Sequence, residues 1–239
     1  MTRRRFIADT WTPTTATLTG DQAAHLARVL RATPGQIYDI VAHGFLHRAE
    51  ITEVSEAQVL FRLHEELESD AALPLHLLLA VFKFDHMEWA IEKATELGIA
   101  RITPILARRT EKHLAQSALK RSERWRRIAL EASKQSRRTD IPEIADPIPL
   151  KQALEQEKSS TRILLSETEQ NTTLTEALEK SGQTKTTHTI AIGPEGGWTP
   201  EEIFLFTEHT WQPVTLGPRI LRAETAAIAA IAITSTFLT

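Results

Sequence analysis

The sequence contains no cysteine. This absence excludes disulfide bonds, thiolate metal ligands, iron–sulfur clusters and a cysteine nucleophile. The chain also lacks the G-K-[ST] ending of a phosphate-binding loop, the G-x-S-x-G motif of serine hydrolases and the H-E-x-x-H motif of zinc proteases. Its nine histidines are scattered along the chain. We therefore expect neither a bound metal nor covalent thiol chemistry.

Long apolar stretches are absent as well. The N-terminal residues MTRRRFIADTW are basic but hold few apolar residues, so they predict no signal peptide. The Ala/Ile-rich segment from Ala223 onward contains Glu224 and several threonines, and it is too short and too polar to span a bilayer. A hydrophobic fraction of 41% still suffices for a packed core. The expectation is a soluble, cytoplasmic protein without a membrane partner.

Positive charge is concentrated in one segment. The 239 residues carry a net charge of −3, yet residues 101–138 hold twelve basic and only three acidic residues, a net charge of +9. Such a concentration is typical of proteins that bind the phosphate backbone of a nucleic acid. A solvated helix face is the alternative explanation. The size of the charge favours nucleic acid.

The first seventy residues predict a small β-rich unit. Arg4–Ala8 is expected to form an edge strand, and Thr19 to open a short helix with Val29 on its apolar side. The alternating segments QIYDIVA and FLHRAEI flank His43-Gly44 and predict a tight hairpin. After one more strand, the acidic stretch ELESDAALP at 66–74 is typical of a linker.

Beyond the linker, strands and helices alternate. Helices are expected over 85–98, with a capping box of Asp85 and Glu88, and over the basic stretch 117–136. This alternation predicts an α/β fold with a mainly parallel sheet. The strand candidates are LHLLLAVF (75–82), IARITPIL (99–106), TRILLSE (161–167), THTIAIG (187–193) and QPVTLG (212–217).

Three strand ends are candidate binding loops, because ligands of parallel sheets lie beyond the carboxyl ends of the strands. These loops follow Leu165, Ile192 and Leu216. The second reads GPEGGW, and its G-x-x-G-G spacing with Glu195 does not fit a phosphate. It suits a ligand with hydroxyl groups, amides or positive charge. An ordinary turn is the alternative.

The residues that follow two of these loops predict helix starts. Thr199 and Glu202 form a capping-box pattern that fills the helix end an anion would otherwise use. After LGPRILRAET, the Ala/Ile-rich stretch predicts a helix for a tightly packed or dimeric core. Arg222 and Thr225 lie in its first turn, where an arginine needs a ligand or a carboxylate partner.

Together, IGPEGGW and LGPRILRAETA resemble the signature of the RsmE-type methyltransferases. These are SPOUT enzymes that methylate N3 of a uridine in 16S ribosomal RNA. The similarity extends to HLARVLRATPGQ (25–36), MEWAIEKATELGI (87–99) and the basic region 124–144, so it covers nearly the whole chain. Arg109 and Thr110 match a further family motif, in which Arg108 replaces an acid.

The resemblance implies a fold and a set of partners. Residues 1–70 would form a PUA-like RNA-binding β-barrel domain. Residues 74–239 would form a SPOUT trefoil-knotted domain, a mainly parallel sheet with helices on both faces. The resemblance also implies a homodimer that uses S-adenosyl-L-methionine, needs no metal, and acts on 16S rRNA of the small ribosomal subunit.

The resemblance further implies the site residues. Arg222 and Thr225 would act in catalysis, where cofactor and target base meet. RNA would contact Arg28, Arg31, Arg109, Arg124, Gln135 and Arg138. The cofactor would bind to Leu165, Ser166, Glu167, Ile192, Gly193, Pro194, Glu195, Gly196, Gly197, Leu216, Gly217, Ile220, Leu221, Arg222 and Thr225.

Without cysteine, the methyl group would be transferred directly to a nitrogen or an oxygen. Uridine N3 lies on the Watson–Crick edge, so the base must be unpaired, and a cation such as Arg222 would stabilise the N3 anion. Two alternatives remain: ribose 2′-O methylation by the same fold, and a ribosome-assembly factor that binds RNA without activity. Glu195 would bind the cofactor, order its loop, or pair with an arginine.

Overall fold

The computed structural model describes residues 5–68, 72–182 and 186–238. The chain divides into two compact units. The first comprises Met1–Ala71 with Ser133–Asp140, and the second Ala72–Ala132 with Ile141–Thr239. The inclusion of 133–140 in the first unit has no signal in the sequence, because it depends on contacts between distant parts of the chain.

The first unit is a six-stranded sheet in the order β1-β4-β5-β6-β3-β2. Among the strands described in this unit, only β1 and β4 pair in parallel, and β1 is an edge strand as predicted, although Arg4 lies outside the described residues. The strands are β1 (Arg5–Ile7), β2 (Thr10–Trp11), β3 (Thr15–Thr19), β4 (Ile37–Ala42), β5 (Phe45–Val54) and β6 (Gln58–Leu67).

The predicted hairpin joins β4 to β5 in antiparallel register. His43 and Gly44 both have positive φ, at 56° and 80°, as a two-residue hairpin turn requires. The predicted helix is shorter: α1 (Gly20–Ala24) continues as a π-helical turn over His25–Val29. The prediction for Val29 is wrong. The wider turn rotates its side chain outward, and it is 66% exposed.

The second unit is built on a parallel sheet in the order β10-β8-β7-β12-β11-β13, with β9 beside β8. Every strand pair described in it is parallel, as predicted. The strands are β7 (Leu75–Ala80), β8 (Arg101–Leu106), β9 (Glu143–Ile144), β10 (Ile148–Pro149), β11 (Thr161–Leu165), β12 (His188–Ile192) and β13 (Gln212–Val214).

Helices cover both faces of this sheet. Leu75, Leu77 and Leu79 of β7 pack into one apolar cluster, and Leu78 and Ala80 into another. Because side chains alternate along a strand, these clusters lie on opposite faces. The helices are α2 (Phe84–Glu96), α3 (Lys112–Ser136), α4 (Leu150–Gln156), α5 (Leu174–Ser181), α6 (Pro200–Glu208) and α7 (Ala223–Leu238). Residues of α2, α3, α5 and α7 belong to the first cluster, and residues of α4 and α6 to the second.

Three details of the predicted elements differ. Helix α2 begins at Phe84, and no side chain caps it, so the capping box of Asp85 and Glu88 is wrong. Glu88 instead accepts two hydrogen bonds from Arg124, at 2.6 and 2.7 Å. Helix α3 begins five residues earlier than expected, at Lys112. The predicted linker overlaps β6, and residues 69–71 within it lie outside the described residues.

Three hydrogen-bonded side chains lie near the amino-terminal edge of this sheet. His76 on β7 contacts Glu157 Oε2 through Nδ1 at 2.8 Å and Thr103 Oγ1 through Nε2 at 3.0 Å. The Glu157 side chain is only 5% exposed. Burial alone would raise the pKa of Glu157, but the hydrogen bond and charge of His76 and the N–H of Ser159 outweigh it and lower the pKa to about 2.

The lowered pKa of Glu157 predicts a loss of stability in acid. The pKa of Glu157 is below its ordinary value of 4.5, so the stabilisation is complete above pH 4.5 and is lost as the pH falls toward 2. The difference between these two pKa values corresponds to roughly 3 kcal/mol of folding free energy. We expect Glu157→Gln to lower the free energy of unfolding at pH 7 by about 2–3 kcal/mol, measured by urea denaturation.

The deficit of Glu157→Gln relative to the parent protein should shrink between pH 4.5 and 2. Glu155→Gln on the exposed side of α4 is the matched control and should change stability little, because its pair with Lys151 is long and solvated. A difference in the free energy of unfolding between the parent and Glu157→Gln that stays constant across this pH range would contradict the role assigned to Glu157.

No helix among the described residues is long and apolar enough to cross a membrane. In the same residues, no group of three or more histidine, aspartate or glutamate side chains is arranged to hold a metal ion.

Candidate functional site

The three candidate loops meet at the carboxyl edge of the parallel sheet. Strand β11 lies between β12 and β13, so the segments that follow Leu165, Ile192 and Val214 are neighbours. They enclose a cavity of about 1040 Å³. This volume is at the upper end of the range for ligand pockets, and it leaves space for more than one small group.

Most of the predicted cofactor residues line this cavity. Gly196 and Thr225 are the two that do not. The predicted residues that line it are Leu165, Ser166, Glu167, Ile192, Gly193, Pro194, Glu195, Gly197, Leu216, Gly217, Ile220, Leu221 and Arg222. Leucine and isoleucine side chains provide apolar walls, and the glycines expose backbone groups.

The loop after β12, residues 193–198, is a tight turn in which two glycines meet different constraints. Gly197 has a φ of 69°, and its N–H donates to the carbonyl of Pro194 at 2.8 Å. At Gly193 the constraint is space: a Cβ there would lie 3.1 Å from Cε2 and Nε1 of Trp198. We call residues 193–198 the glycine loop.

Trp198 fixes the glycine loop to the neighbouring strand. Its indole N–H donates to the carbonyl of Leu165 at 3.0 Å, and its ring packs edge-to-face on Phe206 at 4.8 Å. The sequence places the tryptophan after the glycines, but the hydrogen bond depends on the neighbouring positions of β11 and β12. Two walls of the cavity are thereby joined.

The predicted capping box at the start of α6 is present. Thr199 accepts from the Glu202 N–H, and Glu202 Oε2 accepts from the Thr199 N–H at 2.9 Å. The buried Glu202 carboxylate also accepts from the Arg108 N–H, at 2.7 Å through Oε1. The sequence does not reveal this second contact, because Arg108 is 94 residues away.

Arg109 lies at the cavity, although the family resemblance places it in RNA binding. Its guanidinium donates to the carbonyl of Gly196 at 2.6 Å, and its side chain lines the cavity. The turn that carries it follows β8, and Thr110 Oγ1 donates to the carbonyl of Val81 at 3.0 Å.

Charges of opposite sign lie on different parts of the cavity wall. The loop after β11 contributes Glu167 and Glu169. Glu169 accepts from the Asn171 and Thr172 N–H groups, which lower its pKa, so its carboxylate orders the turn. Glu167 makes no such contact among the described residues, and its carboxylate approaches Gly197. The loop after β11 therefore adds two carboxylates to the cavity wall.

The loop after β13 and the start of α2 contribute basic residues to the cavity wall. Arg219 and Arg222 come from the former, and Lys83 and His86 from the latter. Glu195 of the glycine loop lies within 4.0 Å of both Lys83 Nζ and His86 Nδ1. Lys83 and His86 were missed, although they follow the carboxyl end of β7, beside β12, where the strand-end rule places ligands.

Buried Glu224 adds a further carboxylate next to His86. Its Oε1 lies 3.5 Å from His86 Nδ1, and its residue is in the first turn of α7. A carboxylate at a helix N-terminus is stabilised by the helix dipole. Glu224 therefore connects the start of α7 to the start of α2.

The loop after β13 is partly exposed where it leads into α7. Gly217 has a φ of 113°, and its N–H donates to Thr215 Oγ1 at 3.1 Å. Ile220 is 81% exposed at the tip. Arg222 is exposed, and its carbonyl accepts from the Ala226 N–H at 2.8 Å, so it marks the start of α7.

The other predicted RNA contacts do not line this cavity. Arg28 pairs with Glu56, and Arg124 with Glu88. Arg31 and Gln135 are exposed. The Arg138 side chain is 8% exposed and pairs with Asp140.

The residues present fit S-adenosylmethionine. An apolar wall beside exposed glycine backbone suits an adenine, and carboxylates suit ribose hydroxyls and a positive centre. The phosphate-binding features are missing, since Glu195 replaces the lysine and α6 starts with Glu201 and Glu202. The pKa of Glu201 is lowered, first by its own backbone N–H and then by Thr199, so the helix end already holds negative charge.

The family described as RNA methyltransferase domain matches residues 69–235. Ribosomal RNA small subunit methyltransferase E of Synechocystis is 36% identical over 222 residues, which are 91% of this chain and 72% of that protein. The Bacillus subtilis protein of the same name is 32% identical over 225 residues, covering 91% and 88%.

Solved structures give the same result. Ribosomal RNA small subunit methyltransferase E from Neisseria gonorrhoeae, bound to S-adenosyl methionine, has a TM-score of 0.82 and 29% identity and covers 98% of each chain. A methyltransferase from Legionella pneumophila, with bound cofactor SAM, has a TM-score of 0.81 and 30% identity, with 99% and 98% coverage.

Proposed function

The chain belongs to the RNA methyltransferase family, and we propose that it transfers a methyl group from S-adenosylmethionine to N3 of a uridine in 16S rRNA. Its relatives are named as methyltransferases of small-subunit ribosomal RNA. The chain is accordingly an S-adenosylmethionine-dependent 16S rRNA methyltransferase. The choice of N3 and of uridine is the finer proposal.

One observation carries the proposal: the loops at the carboxyl edge of the parallel sheet line one cavity whose wall holds both carboxylates and cations. The cofactor is cationic and the RNA is anionic, so each finds complementary charge on one part of the same wall. The loop after β11, with Glu167, would face the cofactor. The basic residues Arg219, Arg222 and Lys83 would face the RNA.

The cofactor would be held mainly by backbone groups of the glycine loop and of residues 216–222, between apolar side chains of Leu165, Ile192 and Leu216. Glu167 would accept hydrogen bonds from ribose hydroxyls. When bound, S-adenosylmethionine supplies an electrophilic methyl group on a sulfonium. Trp198 and Phe206 keep the loop in place and exclude water from behind it.

Arg222 and Thr225 would meet the target base. The chain has no cysteine, so it cannot activate pyrimidine C5 through a thiolate adduct, and direct transfer to a nitrogen or an oxygen remains, of which we propose N3. Uridine N3 becomes nucleophilic as its proton leaves. The Arg222 guanidinium would stabilise the developing negative charge, and the exposed Thr225 hydroxyl would help to position the base.

RNA would bind along the basic segment and the first unit. Lys120 and Arg127 are exposed on α3, where Arg124 is held by Glu88. We expect the field of the whole segment, rather than a single pair, to attract the phosphate backbone. Direct contacts are proposed for Arg28, Arg31, Arg124, Gln135 and Arg138.

The first unit would be a PUA-like barrel. Its edge strands β1 and β2 are joined by a short bend, in which the Ala8 N–H donates to Val41 at 2.9 Å and the Asp9 N–H to Thr17 at 3.0 Å. These two hydrogen bonds reach β4, the neighbour of β1, and β3, the neighbour of β2. The bend therefore connects both edges of the sheet, which supports closure of the sheet into a barrel.

The second unit would be a trefoil knot. After β13, Thr215 exchanges backbone hydrogen bonds with the segment before α5: its N–H donates to Thr172 at 2.9 Å, and its carbonyl accepts from Leu174 at 3.0 Å. The chain then continues to α7, which packs on α2, α5 and β12. This path alongside an earlier segment supports threading.

The enzyme would act as a homodimer. Helix α7 consists largely of alanine and isoleucine, and its residues Ile228, Ala229 and Ala232 are only half-buried. Helix α2 packs beside it and carries Trp89, which is 48% exposed. An apolar surface of this kind on a single chain favours a self-complementary interface.

Methyl transfer tests the proposed function directly. We expect labelled S-adenosylmethionine to methylate 30S subunits or 16S rRNA from a strain that lacks the modification, and nucleoside digestion to give 3-methyluridine. Label in a ribose-methylated nucleoside would replace the N3 proposal with 2′-O chemistry. Cofactor binding without transfer to either substrate would favour an assembly factor.

A further inference from the structure

We infer that Arg109 is a positioning residue for the glycine loop, and that it acts on cofactor affinity before any RNA is bound. The inference rests on the proposed function, because it concerns the same cofactor cavity. It assigns to Arg109 a role different from the RNA contact that the family resemblance implies.

The contact between Arg109 and the glycine loop is close over its whole length. The guanidinium donates to the carbonyl of Gly196 at 2.6 Å. A Cβ on Gly196 would lie 3.3 Å from both Cβ and Cδ of Arg109. The aliphatic part of the arginine therefore packs on the glycine while its charged end holds the carbonyl. A charged hydrogen bond to a backbone carbonyl is worth about twice a neutral one.

The turn that carries Arg109 is itself anchored at both sides. The Arg108 N–H donates to the buried Glu202 carboxylate at 2.7 Å. Thr110 Oγ1 donates to Val81 at 3.0 Å, and the Thr110 N–H donates to Ala107 at 3.1 Å. Because the backbone of this turn is already fixed, only the side-chain rotamers of Arg109 must be ordered when it holds the loop.

Gly196 lies between two lining residues of the loop. Its own backbone does not line the cavity, but Glu195 before it and Gly197 after it do. Holding the Gly196 carbonyl therefore fixes the peptide plane between Gly196 and Gly197. Arg109 orients the cofactor wall through Gly196, and it reaches the cavity edge itself.

The test measures cofactor affinity without RNA. We expect Arg109→Ala to weaken binding of S-adenosylmethionine by about tenfold or more in calorimetry, the loss of one charge-assisted hydrogen bond. Arg108→Ala is the matched control: it removes the same charge one residue away and keeps the N–H that Glu202 binds. Its cofactor affinity should equal that of the parent protein.

A second variant keeps the test decisive if Arg109→Ala folds poorly. Arg109→Lys retains the charge and one donor, and we expect cofactor affinity between those of the parent and the alanine variant. In steady-state assays, Arg109→Ala should raise KM for the cofactor while kcat at saturating cofactor stays within a few-fold. Melting temperatures of all three variants identify any general loss of structure.

Unchanged cofactor affinity in Arg109→Ala and Arg109→Lys, with a higher KM for RNA matching that of Arg108→Ala, would overturn the inference and return Arg109 to RNA binding. Equal loss of cofactor affinity in Arg108→Ala and Arg109→Ala would also overturn it, because charge alone would then explain the effect. Failure of the parent protein to bind S-adenosylmethionine would refute the proposed function instead, which separates the two results.

Discussion

Arg222→Ala should lower kcat by about 10²–10³-fold at saturating RNA and cofactor, the effect of removing one donor from a site that stabilises a developing anion. Cofactor affinity should change by no more than a few-fold, since the backbone of residues 216–222 is left in place. The measurement is single-turnover methyl transfer to the RNA substrate, with calorimetry for the cofactor.

The structure supports this expectation through the position of Arg222. It begins α7, its side chain is exposed, and it lines the cavity. None of the ion pairs in the described part of the chain includes its guanidinium, although buried Glu224 is two residues away. An arginine beside the positive end of a helix dipole is unfavourable unless it meets negative charge. The anion of the target base would supply that charge.

Two variants sharpen the result. Arg219→Ala removes an exposed arginine from the same loop, and we expect it to raise KM for RNA with a much smaller change in kcat. Arg222→Lys keeps the charge but loses the planar donor geometry, so it should recover only part of the activity. Normal turnover by Arg222→Ala at saturating RNA would show that another group stabilises the base.

The sequence predicts the cavity because the cavity depends on a local pattern. Apolar segments ending at Leu165 and Ile192 read as buried parallel strands, and parallel strands bring their carboxyl ends to one edge. The capping box of Thr199 and Glu202 is equally local, and the structure contains it. Elements of this kind are fixed by residues a few positions apart, which a single sequence displays.

The features that sequence reasoning missed depend on distant partners. Glu88 has the spacing of a capping residue, but two hydrogen bonds to Arg124 are stronger than a cap on an exposed helix start. Arg109 reads as one of twelve basic residues in 101–138, and only the fold brings it to Gly196, 87 residues away. Spacing along the chain contains no signal for either contact.

Val29 shows a third cause of error. Its spacing from Leu26 fits an α-helix, yet the chain there forms a π-helical turn, which changes the angle between successive side chains. Leu26 remains buried, whereas Val29 faces solvent. A pattern assumed to have 3.6 residues per turn assigns the wrong face wherever the backbone departs from that period.

Gly193→Val should abolish useful cofactor binding, raising Kd for S-adenosylmethionine by about a hundredfold or more. Gly193 has no positive φ, so the backbone itself accepts a side chain. The obstacle is Trp198, whose Cε2 and Nε1 would lie 3.1 Å from the new Cβ. Trp198 cannot move away without breaking its bond to Leu165 or its packing on Phe206. The added methyl groups must therefore displace the glycine loop or fill the cavity.

A graded series separates these effects from a general loss of folding. Gly193→Ala should weaken binding less than valine, because a single methyl group needs a shift of only a few tenths of an ångström. Trp198→Phe keeps a smaller aromatic ring but removes the indole donor, and it should cost only a few-fold in affinity. The melting temperature of Gly193→Val should remain high enough for a folded protein at assay temperature. Parent-like affinity in folded Gly193→Val would mean that the cofactor does not approach the glycine loop.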